Sequence, residues 1–71
     1  MSRIVIDPKI RFGKPTVRGT RITVEEIVRA FSNDLTAEDI LKEWPTLGAE
    51  DLPAALAFAA DALRSNSVAA E

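Results

Sequence analysis

Residues 23–31 read T-V-E-E-I-V-R-A-F and residues 36–44 read T-A-E-D-I-L-K-E-W, so one local grammar occurs twice in a short chain. Each copy starts with a threonine followed three residues later by an acid. This is the capping-box spacing, in which side chain and backbone satisfy each other's free donors at a helix start. Behind Thr23, the apolar residues Val24, Ile27, Val28 and Phe31 fall at i, i+3, i+4 and i+7; behind Thr36, Ala37, Ile40, Leu41 and Trp44 do the same. That spacing lines one face of a helix. On the opposite faces Glu25 precedes Arg29 and Glu38 precedes Lys42 by four residues, the favourable order for an ion pair. Pro45 stops the second helix. The chain is thereby constrained to two short amphipathic helices, over residues 24–32 and 36–44. They are joined through Asn33, Asp34 and Leu35 as a helical hairpin or helix-turn-helix.

A third helix is expected over residues 49–65, with Gly48 as a weak cap and Glu50 and Asp51 favouring its positive end. Pro53 fits the first turn only if regular helix begins near Asp51. Leu52, Leu56, Ala59 and Leu63 mark its expected buried face. Six alanines between Ala54 and Ala62 leave little bulk and permit close helix approach, including across a subunit interface. Upstream, R-I-V-I-D at residues 3–7 suits a short strand closed by Asp-Pro. Its candidate partners are Ile10 to Phe12 and Thr16 to Val17. Gly13 and Gly19 are turn positions, and Thr23 and Thr36 are helix caps.

The expected fold is therefore mainly α: a short N-terminal β-strand or ribbon followed by a three-helix, homeodomain-like helix-turn-helix bundle. Residues 1–22 form a basic strand-and-loop arm, 23–65 the helical domain and 66–71 a flexible tail. Trp44 ends an apolar stripe and reads as core, with an interaction anchor as the alternative. Phe12, Phe31 and Phe58 read as core.

A core built from 71 residues supplies only about 3–5 kcal/mol, and a small domain usually adds a disulfide, a metal or a second subunit. The chain has neither cysteine nor histidine, which leaves a partner or a homodimer as the expected supplement. No leader-like apolar stretch opens the sequence and no segment is long enough to span a bilayer, so a cytoplasmic location without membrane contact is expected.

Charge is strongly segregated. Residues 1–21 carry six cations (Arg3, Lys9, Arg11, Lys14, Arg18, Arg21) against Asp7 alone, and the remainder carries three cations against ten acids; the net charge is -2. Such asymmetry fits contact with a polyanion at one end. It fits equally a basic segment that neutralises the acidic body, within one subunit or across a dimer. As a DNA-binding helix-turn-helix, Ala30, Asp34 and Ile40 occupy the small, turn and branched positions. Asp34 tolerates the left-handed conformation that glycine usually supplies. The second helix, however, sets Glu38, Asp39 and Glu43 against Lys42, and these acids repel the phosphates that supply most DNA affinity. Gly-Lys-Pro-Thr at residues 13–16 fails the phosphate-loop pattern, because Pro8 stands where the first glycine is required. With no His, Cys or Tyr and no spaced ligand cluster, neither catalysis nor a metal or cofactor is expected.

Taken together, I-D-P at residues 6–8, G-K-P-T-V-R-G-T-R-I-T-V at 13–24, T-A-E-D-I-L at 36–41, W-P-T-L at 44–47 and E-D-L-P-A-A-L-A-F-A at 50–59 resemble the Domain of Unknown Function 433 family. The resemblance spans residues 4–64. Asn33-Asp34 replaces the glycine frequent in the first interhelical turn, and Gly48 replaces a Thr or Ser cap. The resemblance implies a homeodomain-like or winged-helix-like protein of the VapB antitoxin type, whose partner would be a PIN-like ribonuclease toxin. On that reading the protein is a binding module that neutralises the nuclease, with operator DNA as a candidate second ligand of a homodimer. An arginine could enter the nuclease's carboxylate cluster, displacing metal or pairing with the acids. The candidate nucleic-acid or partner contacts are Lys14, Arg18, Arg21 and Arg64. The alternative is a structural interaction module that dimerises by docking its basic arm on acidic helices, without binding DNA.

Overall fold

The computed structural model describes residues 2–66. Strand β1, Ile4–Val5, is followed by a tight turn at Arg11–Gly13, strand β2 at Thr16–Val17, and helices α1 (Val24–Ser32), α2 (Ala37–Glu43) and α3 (Asp51–Asn66). The fold is mainly α, with a two-stranded antiparallel hairpin at its N-terminal side. Ile4 pairs with Val17 and Val5 with Thr16. Of the two expected partners of the first strand, residues 16–17 are the ones used. Ile10 to Phe12 enter the turn instead. The expected flexible tail begins at Asn66, which ends α3, and otherwise lies outside the described residues.

Both capping boxes form. Thr23 Oγ1 accepts the Glu26 N–H at 3.0 Å while Glu26 Oε1 accepts the Thr23 N–H at 2.9 Å. Thr36 and Asp39 repeat the exchange at 3.1 and 3.0 Å. Between the helices Asp34 adopts φ 69°, the left-handed conformation the turn requires of it. The Val24 N–H, another donor left free at the start of α1, is taken by the Pro15 carbonyl at 2.9 Å. This bond ties the hairpin to the helix. Helix α3 starts at Asp51, which places Pro53 in its first turn, where no intrahelical donor is lost. Asp51 Oδ2 accepts the Gly48 N–H at 2.8 Å, and Oδ1 meets Arg3 Nη1 at 3.1 Å.

The core joins Ile4 and Val17 of the hairpin, Val24, Ile27 and Ala30 of α1, Ile40 of α2, Leu47, and Leu52 and Ala55 of α3. Helix α3 packs mainly along α1 and touches β1 at its start. Phe31, Trp44 and Phe58 are half-buried against this core.

Several expected core positions lie elsewhere. Leu56 is 41% exposed and Leu63 62% exposed, so the buried face of α3 runs through Leu52, Ala55, Phe58 and Ala59. Ala55, within this face, has no exposure at all. Ala37 is exposed at the start of α2. The pair Glu25 with Arg29 forms at 3.5 Å, whereas Glu38 and Lys42 form no ion pair. Phe12, expected in the core, is 96% exposed.

A strained cationic turn beside an apolar groove

The turn that carries Phe12 is built by a local network. After Pro8, Asp7 Oδ1 accepts the Lys9 N–H at 2.8 Å and the Asp7 carbonyl accepts the Ile10 N–H at 2.9 Å, reversing the chain. Arg11, Phe12 and Gly13 then follow with φ of 49°, 59° and 82°. A left-handed conformation suits glycine but costs about 1–2 kcal/mol for a residue with a Cβ, so Arg11 and Phe12 are strained together. The strain is held by the Arg11 side chain, whose Nη1 donates to the Arg21 carbonyl at 2.9 Å and to Glu26 Oε1 at 3.3 Å. Phe12 is thus directed into solvent by a backbone that its neighbours hold in place.

A second turn lies beside it. Gly19 has φ of 83°, Thr20 donates from both its backbone N–H and Oγ1 to the Val17 carbonyl, and Thr20 Oγ1 accepts the Ile22 N–H. This turn carries Arg18 and Arg21. Arg18 Nε donates to the Ser2 carbonyl at 2.9 Å, leaving its other guanidinium donors open. Arg21 offers its carbonyl to Arg11, and its side chain has no hydrogen bond or ion pair among the described residues.

The four expected contact residues therefore separate. Arg18 and Arg21 share the second turn. Lys14 meets Glu25 at 3.6 Å, and Glu25 also receives Arg29. Arg64 pairs with Asp61 at 2.7 Å on α3, away from the arm residues in its bonding. These three ion pairs are exposed and contribute little stability. The feature that sequence reasoning missed is Phe12. Its signal was a lone aromatic flanked by Arg11 and Gly13 in a stretch with no apolar period.

An open groove of about 470 Å³ runs between α1 and α3, floored by Val24, Val28, Phe58 and Ala59 and rimmed by Lys14 and Arg29. Glu25 also lines it, but already receives both cations. Burial favours the neutral form of the Glu26 carboxyl, yet the Thr23 N–H and the Arg11 charge outweigh this and hold it below its usual range. Asp39 is lowered mainly by the Thr36 N–H. Both shifts arise at helix caps. Among the described residues no three His, Cys, Asp or Glu side chains gather closely enough to hold a metal, and no helix is long and apolar enough to cross a membrane.

Fold and surface together define a small mainly α domain whose hairpin holds a cationic double turn against three helices. The chain belongs to the family described as "Protein of unknown function (DUF433)", whose model matches residues 4–59. An uncharacterized protein of Sinorhizobium fredii, y4eO, is 36% identical over 79% of the chain, which spans 25% of that relative's length. An uncharacterized protein of Archaeoglobus fulgidus is 52% identical over 41% of the chain and 81% of its own. A crystal structure of a DUF433 member from Anabaena variabilis superposes with a TM-score of 0.77 at 33% identity, covering 82% of this chain and 57% of that one. The chain thus corresponds to a part of the Sinorhizobium and Anabaena proteins.

Proposed function

We propose that this chain is an antitoxin-like binding protein that neutralises a PIN-like ribonuclease toxin, with operator DNA as a second ligand of its homodimer. The observation that carries the reading is the pair Arg18 and Arg21. Both project from a turn held by hydrogen bonds, and neither meets a carboxylate among the described residues. A guanidinium carried on such a turn can enter a carboxylate cluster that binds divalent metal and form bidentate bonds there. The nuclease itself comes from the family resemblance. The proposed role is binding and not catalysis, in keeping with a sequence that has no His, Cys or Tyr.

Co-purification with a PIN-like nuclease, followed by an RNA-cleavage assay, tests the reading. Wild type should form a complex and block cleavage. Arg18→Glu with Arg21→Glu should release the nuclease while far-UV circular dichroism stays unchanged. Absence of both complex and inhibition refutes it. The DNA component is read from salt dependence on a promoter duplex: Arg18→Ala with Arg21→Ala should flatten the slope by roughly one unit for each phosphate no longer neutralised. An unchanged slope clears these residues of phosphate binding.

The exposed Glu38 and Glu43 of α2, without ion pairs among the described residues, favour a second reading. In it the basic turns dock on the α2 acids of another copy, and the protein is a structural module. That reading requires Arg18→Ala with Arg21→Ala, or high salt, to dissociate a dimer in sedimentation. An intact dimer excludes it.

A further inference from the structure

We infer that the Arg11–Gly13 turn is a stacking platform for single-stranded nucleic acid, with the Phe12 ring against an unpaired base and Lys9, Arg18 and Arg21 on the flanking phosphates. This goes beyond the antitoxin reading, since it requires neither a nuclease nor an operator. Three observations converge on it. The first is the ring itself: Phe12 is 96% exposed although two consecutive left-handed residues must be held to keep it there. Backbone strain of this kind persists only where the surroundings enforce it and collects at functional sites. Here the enforcing group is Arg11, which bonds the Arg21 carbonyl and Glu26. One side chain therefore fixes the aromatic turn to the turn that carries Arg18 and Arg21.

The second observation is the charge left over. The ion pairs formed among the described residues engage Arg3, Arg11, Lys14, Arg29 and Arg64. Of the four cations without one, Lys9, Arg18 and Arg21 belong to the two turns, and only Lys42 lies elsewhere. A ligand that offers both an aromatic face and regular negative charge meets ring and cations at once. Nucleic acid with an unstacked base is that ligand.

The third observation weighs against one competitor. A second copy could receive Phe12 in the apolar groove between α1 and α3, but that groove is rimmed by Lys14 and Arg29, with Glu25 already shared between them. Cationic turns would be repelled there. At this site a duplex meets more opposition than a single strand, because the Glu38, Asp39 and Glu43 acids of α2 oppose a broad approach to two phosphate backbones. A single strand can follow the turns alone.

Fluorescence anisotropy of labelled single-stranded RNA and DNA of roughly 12 nucleotides, at about 50 mM salt, tests the inference. The same sequence as a duplex serves as comparison. Wild type should bind the single strands more tightly than the duplex. Phe12→Ala should weaken binding roughly 10-fold, the scale of one base stack removed. Phe12→Trp should retain affinity, and Phe12→Leu, which keeps apolar bulk without a π face, should fall with Phe12→Ala. Arg18→Ala with Arg21→Ala should lower the salt slope by about 1.4 units if each side chain holds one phosphate. Circular dichroism of each variant checks the fold. The inference is overturned by absence of wild-type binding, by unchanged affinity in Phe12→Ala or Phe12→Leu, or by preference for the duplex. It is likewise overturned if Phe12→Ala abolishes self-association while single strands do not bind, which would assign the ring to a protein interface. Nuclease inhibition by Phe12→Ala separates the two readings: it can persist when strand binding is lost, and strand binding can persist when no nuclease is inhibited.

Discussion

Removing the hydroxyl of Thr23 should destabilise the protein far more than removing that of Thr36, although the two residues cap helices through the same box. Each accepts the N–H of the residue three positions on, at 3.0 and 3.1 Å. The difference is water. Thr36 is exposed, so in Thr36→Ala the freed donors are solvated and the loss should fall near the low end for a cap, about 0.5 kcal/mol. Thr23 is 2% exposed, so Thr23→Ala leaves the Glu26 N–H short of both partner and water. A cap loss of about 1–2 kcal/mol is then joined by about 0.8 kcal/mol for the buried methyl group. Set against a total of about 3–5 kcal/mol for a core of this size, that removes roughly half of the stability. Urea denaturation, followed by circular dichroism and by Trp44 fluorescence, measures the contrast. Thr23→Ser, which keeps the hydroxyl, should recover most of the cap energy. Equal losses in Thr23→Ala and Thr36→Ala, or the reverse order, would refute the claim that burial sets the worth of these caps.

Leu52→Ala should cost about 2–5 kcal/mol as a buried cavity and Leu63→Ala at most about 0.5 kcal/mol as an exposed change; comparable losses in chemical denaturation would contradict the buried face described for α3. Phe12→Asn places at φ 59° a residue that tolerates the left-handed region, and with no packing to lose it should raise stability by up to about 1 kcal/mol; a clear loss in the same assay would show that the ring is packed. Glu26 and Asp39 both have carboxyls lowered in the folded state from 4.5 and 3.8, so the unfolded chain takes up protons first as pH falls. The stability they contribute is complete above those ordinary values and is lost as pH drops through the lower folded-state ones. Urea midpoints measured between neutral and acid pH should therefore fall on the acid side, and Glu26→Gln should make that fall shallower; an unchanged steepness would remove Glu26 from the acid response.

What was legible in the sequence was what is decided within one helical turn. The caps at Thr23 and Thr36, the Val24 and Ile27 face and the left-handed Asp34 each depend on neighbours three or four positions away. Strand pairing was legible only as a choice, because two-residue strands carry too little alternation to select between Ile10 to Phe12 and Thr16 to Val17. The buried face of α3 was not legible from its leucines because orientation decides it. Ala55, Phe58, Ala59 and Ala62 share the side of α3 turned to the rest of the domain, and Leu56 and Leu63, seven residues apart, fall together at the edge of that side and are exposed. Alanines carry too weak a hydrophobic signal to mark that side in advance. Phe12 was hidden for a different reason: a positive φ at Arg11 and Phe12 leaves no mark in hydrophobic periodicity.

The segregated charge, which the sequence left open between an outside polyanion and the acidic body, divides between the two. Arg3 meets Asp51, Arg11 meets Glu26 and Lys14 meets Glu25, so half of the arm's cations neutralise helix acids of the same chain. Glu25 and Glu26 stand in the first turn of α1, where their charge also complements the positive end of the helix. This explains how a basic segment can precede a helix start without a large electrostatic penalty. The same pairing fixes the direction of what is left. Arg11 and Lys14 are turned inward toward α1, and Lys9, Arg18 and Arg21, on the two turns that Arg11 links, meet no carboxylate among the described residues. Folding therefore accounts for three of the six arm cations and sorts the other three onto the turns beside Phe12.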